Sequence, residues 1–354
     1  MINLDDTQKL AEIDPQGMTQ HVVNFPRQVE DAWALAQGLD LPAAYRQVRR
    51  IVIAGMGGSA IGGDLLRALV ADECPLPIHV HRGYGLPAFA QGEETLVIVS
   101  SYSGNTEETL SAFETALSRG TRLVALTTGG RLRERGRQEG VPLFTFDYAA
   151  QPRAALGYSF LPLVAVLSRL GFIEDPGEAV AEAAEVMRAW QEEIGPEVPL
   201  ARNPAKRLAG QLMERVPVVY GAELLAPVAR RWKGQFNENA KGWAFYEELP
   251  ELNHNAVVGY ERSEVVQPWV VVLLLRSAYD SPRVQRRWEV TRELLLRYGV
   301  NHDVVWARGE SRLAQMLSII HFGDFVSLYL ALASGVDPTP VEPIVHLKAE
   351  LARG

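Results

Sequence analysis

The sequence predicts an α/β protein built from two doubly wound units with mainly parallel sheets, related by a diverged duplication. Three observations lead there. Short, charge-poor runs rich in β-branched residues, such as Ile51-Val52-Ile53-Ala54 and Thr95-Leu96-Val97-Ile98-Val99, alternate with amphipathic helical stretches. Two of these runs lead into loops of glycine or hydroxyl residues, Gly55 to Asp64 and Ser100 to Thr109, at the carboxyl ends of strands where such sheets bind ligands. The alternation gives way to a long helical interval after residue 153 and resumes at Val216.

At 354 residues the chain has room for about two domains. Residues 1–46 read as a helical segment, with apolar positions at mixed i+3 and i+4 spacing from Met18 to Leu39 and a stop at Leu41-Pro42. The first α/β domain spans 47–152. Its strand from Val48 to Ala54 enters the glycine loop, and a helix continues from Leu65 to Val70. Ile78–His81, Leu96–Val99 and Arg122–Leu126 are the further strands. Residues 153–215 form a helical connector. The second domain, 216–335, repeats the pattern: Val216–Gly221 is a strand followed by a helix through Arg231, then strand Trp269–Leu275, helix Arg283–Tyr298, strand Asp303–Trp306 and helix Ser311–Ala333. A tail over 336–354 carries a short helix, Pro343 to Ala352, with Ile344, Leu347 and Leu351 as its expected buried stripe.

Apolar content of 47% suffices for two sizeable cores, and a net charge of −8 argues against a general nucleic-acid or membrane-surface binder. The single cysteine, Cys74, leaves no intramolecular disulfide and points to a reducing compartment. Met1 to Gln20 is polar and acidic, unlike a signal peptide, and no apolar run approaches ~18 residues, so a cytoplasmic protein without a membrane span is expected. The basic residues are nearly all arginine; lysine stands only at 9, 206, 233, 241 and 348.

The chemistry centres on Ser100-Ser101-Tyr102-Ser103-Gly104-Asn105-Thr106-Glu107-Glu108-Thr109. A turn opening a helix offers free N–H groups and the positive end of a dipole, and Ser101, Ser103, Thr106 and Thr109 add hydroxyls, with no basic side chain among them. A phosphate monoester suits that set. The plain alternative is an N-cap at Ser103. Gly55-x-Gly57-x-x-Ala60 also fits a loose dinucleotide fingerprint, but the acid that fingerprint needs about 20 positions on is replaced by His79-Val80-His81-Arg82. One phosphomonoester held between both loops explains the pair better. In the second domain Gly221-Ala222-Glu223 and Arg276-Ser277-Ala278-Tyr279 stand in the corresponding places, so a single phosphate site is expected. There, Gln235-Phe236-Asn237-Glu238-Asn239-Ala240-Lys241 and Glu251-Leu252-Asn253-His254-Asn255 are dense in polar groups set among Phe236, Trp243, Phe245 and Leu252, the pattern of a cleft. His79-x-His81 has no third ligand nearby, which argues against a metal.

MGGSAIGGDL, SSYSGNTEETL, QPRAALGY, QFNENAK and ELNHN, in this order, closely resemble the bifunctional phosphoglucose/phosphomannose isomerases, which are built from two sugar isomerase (SIS) domains. The resemblance covers the chain from about Phe25 to Lys348. It implies a metal-free, cofactor-free aldose–ketose isomerase acting on glucose 6-phosphate and mannose 6-phosphate through an enediolate. Gly57, Gly58, Ser59, Ser101, Ser103 and Thr106 would hold the phosphate, Glu238 would move the proton between C2 and C1, and Arg153 would stabilise the enediolate. His254 and Lys348 would assist ring opening, His254 reaching across a homodimer, and Thr339 would allow both C2 epimers. Ala256 departs from the family, which usually follows Asn-His-Asn with Glu. Two other readings stay open: a SIS sensor that binds a sugar phosphate without turnover, and an isomerase of a modified sugar phosphate.

Overall fold

The computed structural model describes residues 2–351 and 353; the expected helix end at Ala352 lies outside the described residues. The chain divides into two compact units, one of Asn24–Val186 with Gly309–Met316, the other of Met1–Val23, Met187–Arg308 and Leu317–Gly354.

In chain order, α1 (Thr7–Ile13), α2 (Met18–Val23) and α3 (Phe25–Ala36) precede β1 (Arg50–Ala54), α4 (Gly57–Leu69), β2 (Ile78–His81), β3 (Thr95–Ser100), α5 (Glu107–Ser118), β4 (Arg122–Thr127), α6 (Gly130–Gln138) and β5 (Leu143–Thr145). Helices α7 (Leu156–Arg169), α8 (Gly177–Ile194) and α9 (Pro204–Gln211) follow. Then come β6 (Val216–Ala222), α10 (Ala226–Glu238), β7 (Phe245–Leu249), β8 (Val270–Arg276), α11 (Pro282–Arg297), β9 (His302–Trp306), α12 (Arg312–Ala333) and α13 (Glu342–Leu351).

Strands β2-β1-β3-β4-β5 form one sheet and β7-β6-β8-β9 the other, every pair parallel. The first four strands of each unit therefore take the same order, 2-1-3-4, which is the duplication seen in topology. The inner strands bury both faces because helices cover both sides of a parallel sheet. On one face of the five-stranded sheet, Val52, Val97, Val99 and Ala125 pack with Phe113 and Ala116 of α5. Burying a ring such as Phe113 contributes about 1.5–3 kcal/mol. On the four-stranded sheet Val272 and Leu274 pack with Trp288 and Leu295 of α11.

Several expectations are corrected. The glycine loop is not a free loop up to Asp64; it is the start of α4, whose helical residues begin at Gly57. The run from Met18 to Leu39 breaks at Asn24, and Pro26 sits in the first turn of α3, where a missing N–H costs nothing. Helix α10 runs on past Arg231 to Glu238. Strands β5 and β7 are additions to the expected set: β5 has only three residues, and β7, at a sheet edge, carries Glu247 and Glu248, charges that keep an edge from pairing further. The stripe expected on α13 is not buried; Ile344, Leu347 and Leu351 are all exposed. Helix α12, 22 residues long, is apolar enough to cross a membrane by length and composition, contrary to the expectation that nothing here is, and its apolar window is wholly buried inside the protein.

Five polar side chains are buried in α12: Gln315, Ser318, His321, Asp324 and Ser327. The His321 ring lies 2.9 Å from Gln191 Nε2 and edge-on to Phe325, and burial pushes its pKa down to about 3. The unfolded chain takes up a proton on this ring near pH ~6.5. The folded chain refuses it until about pH 3, so stability falls as the pH drops through that window. Urea unfolding between about pH 7.5 and 5 should show this as a contribution to the slope of up to ~1.4 kcal/mol per pH unit, by which His321→Gln has the shallower dependence. Equal slopes for the two proteins would contradict the assignment.

Candidate active site

In an open parallel sheet the ligand crevice lies beyond the carboxyl ends of the two adjacent strands where the order reverses. Those strands are β1 and β3 in the five-stranded unit, and the two loops singled out in the sequence follow them. Helix α4 starts with Gly57 in the left-handed region at φ 50°; Ser59 N–H donates to Met56 C=O at 3.0 Å, whereas the N–H groups of Gly57 and Gly58 have no backbone partner among the described residues. Gly58 is needed for a close approach: a Cβ there would stand 3.0 Å from the carbonyl of Pro152. The Pro152–Ala154 turn therefore rests on the glycine turn and carries Arg153, whose side chain is buried.

The hydroxyl loop is held from within. Ser101 Oγ accepts from Gly104 N–H at 3.1 Å and donates to Thr106 Oγ1 at 3.1 Å. Ser59 Oγ accepts from Tyr102 N–H at 3.2 Å, which ties the two loops together. Ser103 Oγ accepts from Asn105 N–H at 3.2 Å. Ser59, Ser103 and Thr106 thus each receive a proton from the protein, and no group among the described residues takes the hydroxyl proton of any of them. A hydroxyl so placed is set to donate to an incoming anion. Only glycine fits at position 104, where φ is 68° and a Cβ would overlap the Gly129 carbonyl. The N-cap of α5 is Thr106, not Ser103, and its side chain makes no capping bond. Thr109 lies in the first turn of α5 and is buried.

Two positioning contacts go beyond the sequence reading. Gln28 donates to Ala154 C=O at 2.9 Å and accepts from Gly157 N–H at 2.6 Å, clamping the turn that carries Arg153. The only hint in sequence is a polar residue on the apolar face of α3. Arg82 pairs with the buried carboxylate of Asp64 on α4, so the place where a dinucleotide reading needs an acid holds a paired cation. Among the described residues no group of three or more His, Cys, Asp or Glu side chains could hold a metal ion, His79 and His81 included.

The remaining candidates belong to the four-stranded unit. Glu238 is the last residue of α10 and half-buried. Beyond it Lys241, in the left-handed region at φ 56°, donates through Nζ to the carbonyls of Glu238 at 2.5 Å and Pro338 at 2.9 Å. A cation on a terminal helix carbonyl is favourable, and here it ties the Glu238 turn to the segment bearing the buried Thr339. His254 ends a 3₁₀ turn, Glu251–His254, and Lys348 lies on α13; both are exposed, and neither side chain makes a hydrogen bond or ion pair among the described residues. Next to His254, Asn255 donates to Glu251 at 2.9 Å, so a carboxylate reaches this turn although position 256 is alanine. Of the apolar residues expected around these motifs, Phe236 and Leu252 are buried, whereas Trp243 and Phe245 are exposed. Two clefts of about 500 Å³ flank β9 and contain none of the candidates.

The loops of this unit that correspond to the phosphate loops are filled by its own carboxylates. Glu223, at φ 43° just after β6, accepts from Ser281 N–H at the start of α11 at 2.7 Å. Asp280 accepts from Ser277 N–H and Trp288 Nε1, and burial raises its pKa against those bonds.

Residues 201–351 match the bacterial phospho-glucose isomerase C-terminal SIS domain family. A bifunctional phosphoglucose/phosphomannose isomerase of Caldicellulosiruptor bescii is 42% identical over 95% of this chain and 99% of its own length. Its namesake in Aquifex aeolicus is 37% identical over 89% and 94%. The crystal structure of a glucose-6-phosphate isomerase like protein from Thermus thermophilus superposes with a TM-score of 0.64 at 20% identity, covering 96% of this chain and 99% of that one, which is a likeness of fold. A chain with these loops and with relatives this similar over nearly its whole length belongs to the bifunctional phosphoglucose/phosphomannose isomerase family.

Proposed function

We propose that this chain interconverts glucose 6-phosphate and mannose 6-phosphate with fructose 6-phosphate through an enediolate, without a metal or redox cofactor. The observation that carries the reading is the proton arrangement of Ser59, Ser103 and Thr106, each accepting from the protein and so able to donate to a phosphate oxygen. The Gly57 and Gly58 N–H groups at the start of α4 supply the remaining neutral donors.

Isomerisation needs one carboxylate that takes a proton from carbon and returns it to the neighbouring carbon, the role of Glu238. A guanidinium beside the developing enediolate stabilises it without losing its charge, the role of Arg153. Opening the hemiacetal needs an acid and a base, for which His254 and Lys348 serve. The exposure of His254 and its lack of a partner among the described residues support its loan to the site of a second subunit in a homodimer. The Lys241 link between Glu238 and Pro338 supports a place for Thr339 beside the reacting carbons, where a small side chain admits either C2 epimer.

Ser101→Ala with Thr106→Ala should raise KM strongly with a smaller change in kcat, because Thr106 binds the unreacting phosphate in ground and transition states alike and Ser101 orients its hydroxyl. An unchanged KM in steady-state kinetics would remove the phosphate assignment. Glu238→Gln keeps size but cannot accept a proton, so kcat should fall roughly 10²–10⁴-fold while substrate still binds. The variant should also stop exchanging the C2 hydrogen with solvent deuterium, followed by NMR; wild-type exchange would mean that another group is the base. Mixing inactive Glu238→Gln and His254→Ala subunits should restore activity if His254 is lent across a dimer. No recovery after proven subunit exchange would return His254 to its own chain.

A further inference from the structure

Behind Glu238, the last two turns of α10 are fastened to α12 by buried polar contacts that no step of the reaction uses. Counted from Arg231, Gln235, Glu238 and Asn239 lie four, seven and eight positions on, all within about 100° of one another around the helix. Arg231 Nη2 donates to both oxygens of Asp324 at 2.9 and 2.7 Å, and Gln235 Nε2 donates to the same carboxylate at 2.8 Å. One turn along α12, Ser327 Oγ accepts from Asn239 Nδ2 at 3.0 Å and donates to the Asp324 carbonyl at 3.0 Å. Arg231 and Asp324 are each 5% exposed. The backbones also meet closely: Trp232 Nε1 donates to Ile319 C=O at 3.0 Å, and a Cβ on Gly323 would stand 2.1 Å from the Trp232 ring.

A buried ion pair adds little net stability, since desolvation offsets most of its attraction, but its directional bonds hold one geometry where an apolar contact would let the helix turn or slide. We propose that Asp324 is a positioning residue for the proton transfer: its carboxylate, together with the Ser327–Asn239 bond one turn along, fixes the rotation and axial position of the end of α10 and so aims the Glu238 carboxylate at the substrate carbons. The inference rests on Glu238 being the base. A displacement of ~1 Å at such a step costs on the order of 10²-fold in rate.

The test is a double-mutant cycle on the full-length protein with fructose 6-phosphate. Asp324→Asn should lower kcat roughly 10- to 100-fold with KM nearly unchanged, and should leave the residual rate of a Glu238→Gln protein unaltered, because a residue acting through the base has nothing left to act on. Ser327→Ala, which spares the ion pair, should show the same pattern at roughly 3- to 10-fold, and it decides the matter where Asp324→Asn does not fold. Equal losses in both Glu238 backgrounds, or a rise in KM with kcat unchanged, would make Asp324 a general structural residue and overturn the proposal. Wild-type kcat and solvent exchange in Glu238→Gln alone would instead overturn the assignment of the base, whatever the cycle gives.

Discussion

The proposed anion site, with no basic side chain in its loops, works only if its ligand-facing hydroxyl protons point outward before the ligand arrives. The five-stranded unit meets that constraint by committing the acceptor side of its hydroxyls internally: Tyr102 N–H to Ser59, Asn105 N–H to Ser103, and the Ser101 hydroxyl to Thr106. The rest of the unit follows from holding those three contacts. The loops must leave neighbouring parallel strands, which the reversal of order between β1 and β3 provides. The chain must fold back tightly at Gly104, and the Arg153 turn must sit on Gly58 without a Cβ between them. Preorganised neutral donors of this kind cost no reorganisation when charge arrives.

The four-stranded unit distributes rigidity unevenly. Glu238 ends a helix whose inner face is locked into α12, whereas the His254 and Lys348 side chains are exposed, His254 on a turn anchored by buried Leu252. Helix α13 has no buried residue, and an isolated helix of its 10 residues is marginal in water. In the proposed mechanism, a proton carried between adjacent carbons demands fixed geometry, while ring opening before and after that step tolerates a freer group such as Lys348.

Much of this is legible in the sequence, for physical reasons. Apolar runs with a period matching buried strands mark β1, β3, β4, β6 and β8, since a strand covered on both faces has nowhere to place a charge. Hydroxyls and glycines after strands mark the loops. Short or charged edge strands, β5 and β7, leave no such trace. Contacts between elements are invisible too: nothing near Gln28 in the chain announces the turn 126 positions away that it clamps. The helical spacing on α13 marks a true stripe but not a buried one, because periodicity reports which residues share a face and not what covers that face.

Duplication leaves a protein with two copies of a binding loop, and Glu223 indicates how the second was retired. Its carboxylate, held at a strained φ of 43°, reaches the amide that opens α11, much as an external anion would approach the start of α5. A carboxylate on a short tether acts at an effective concentration of the order of millimolar or above. A free sugar phosphate would have to displace this built-in competitor before it could use the donor beneath. On the proposed reading, the copy is occupied by its own tethered carboxylate, and each polypeptide would bind one phosphate.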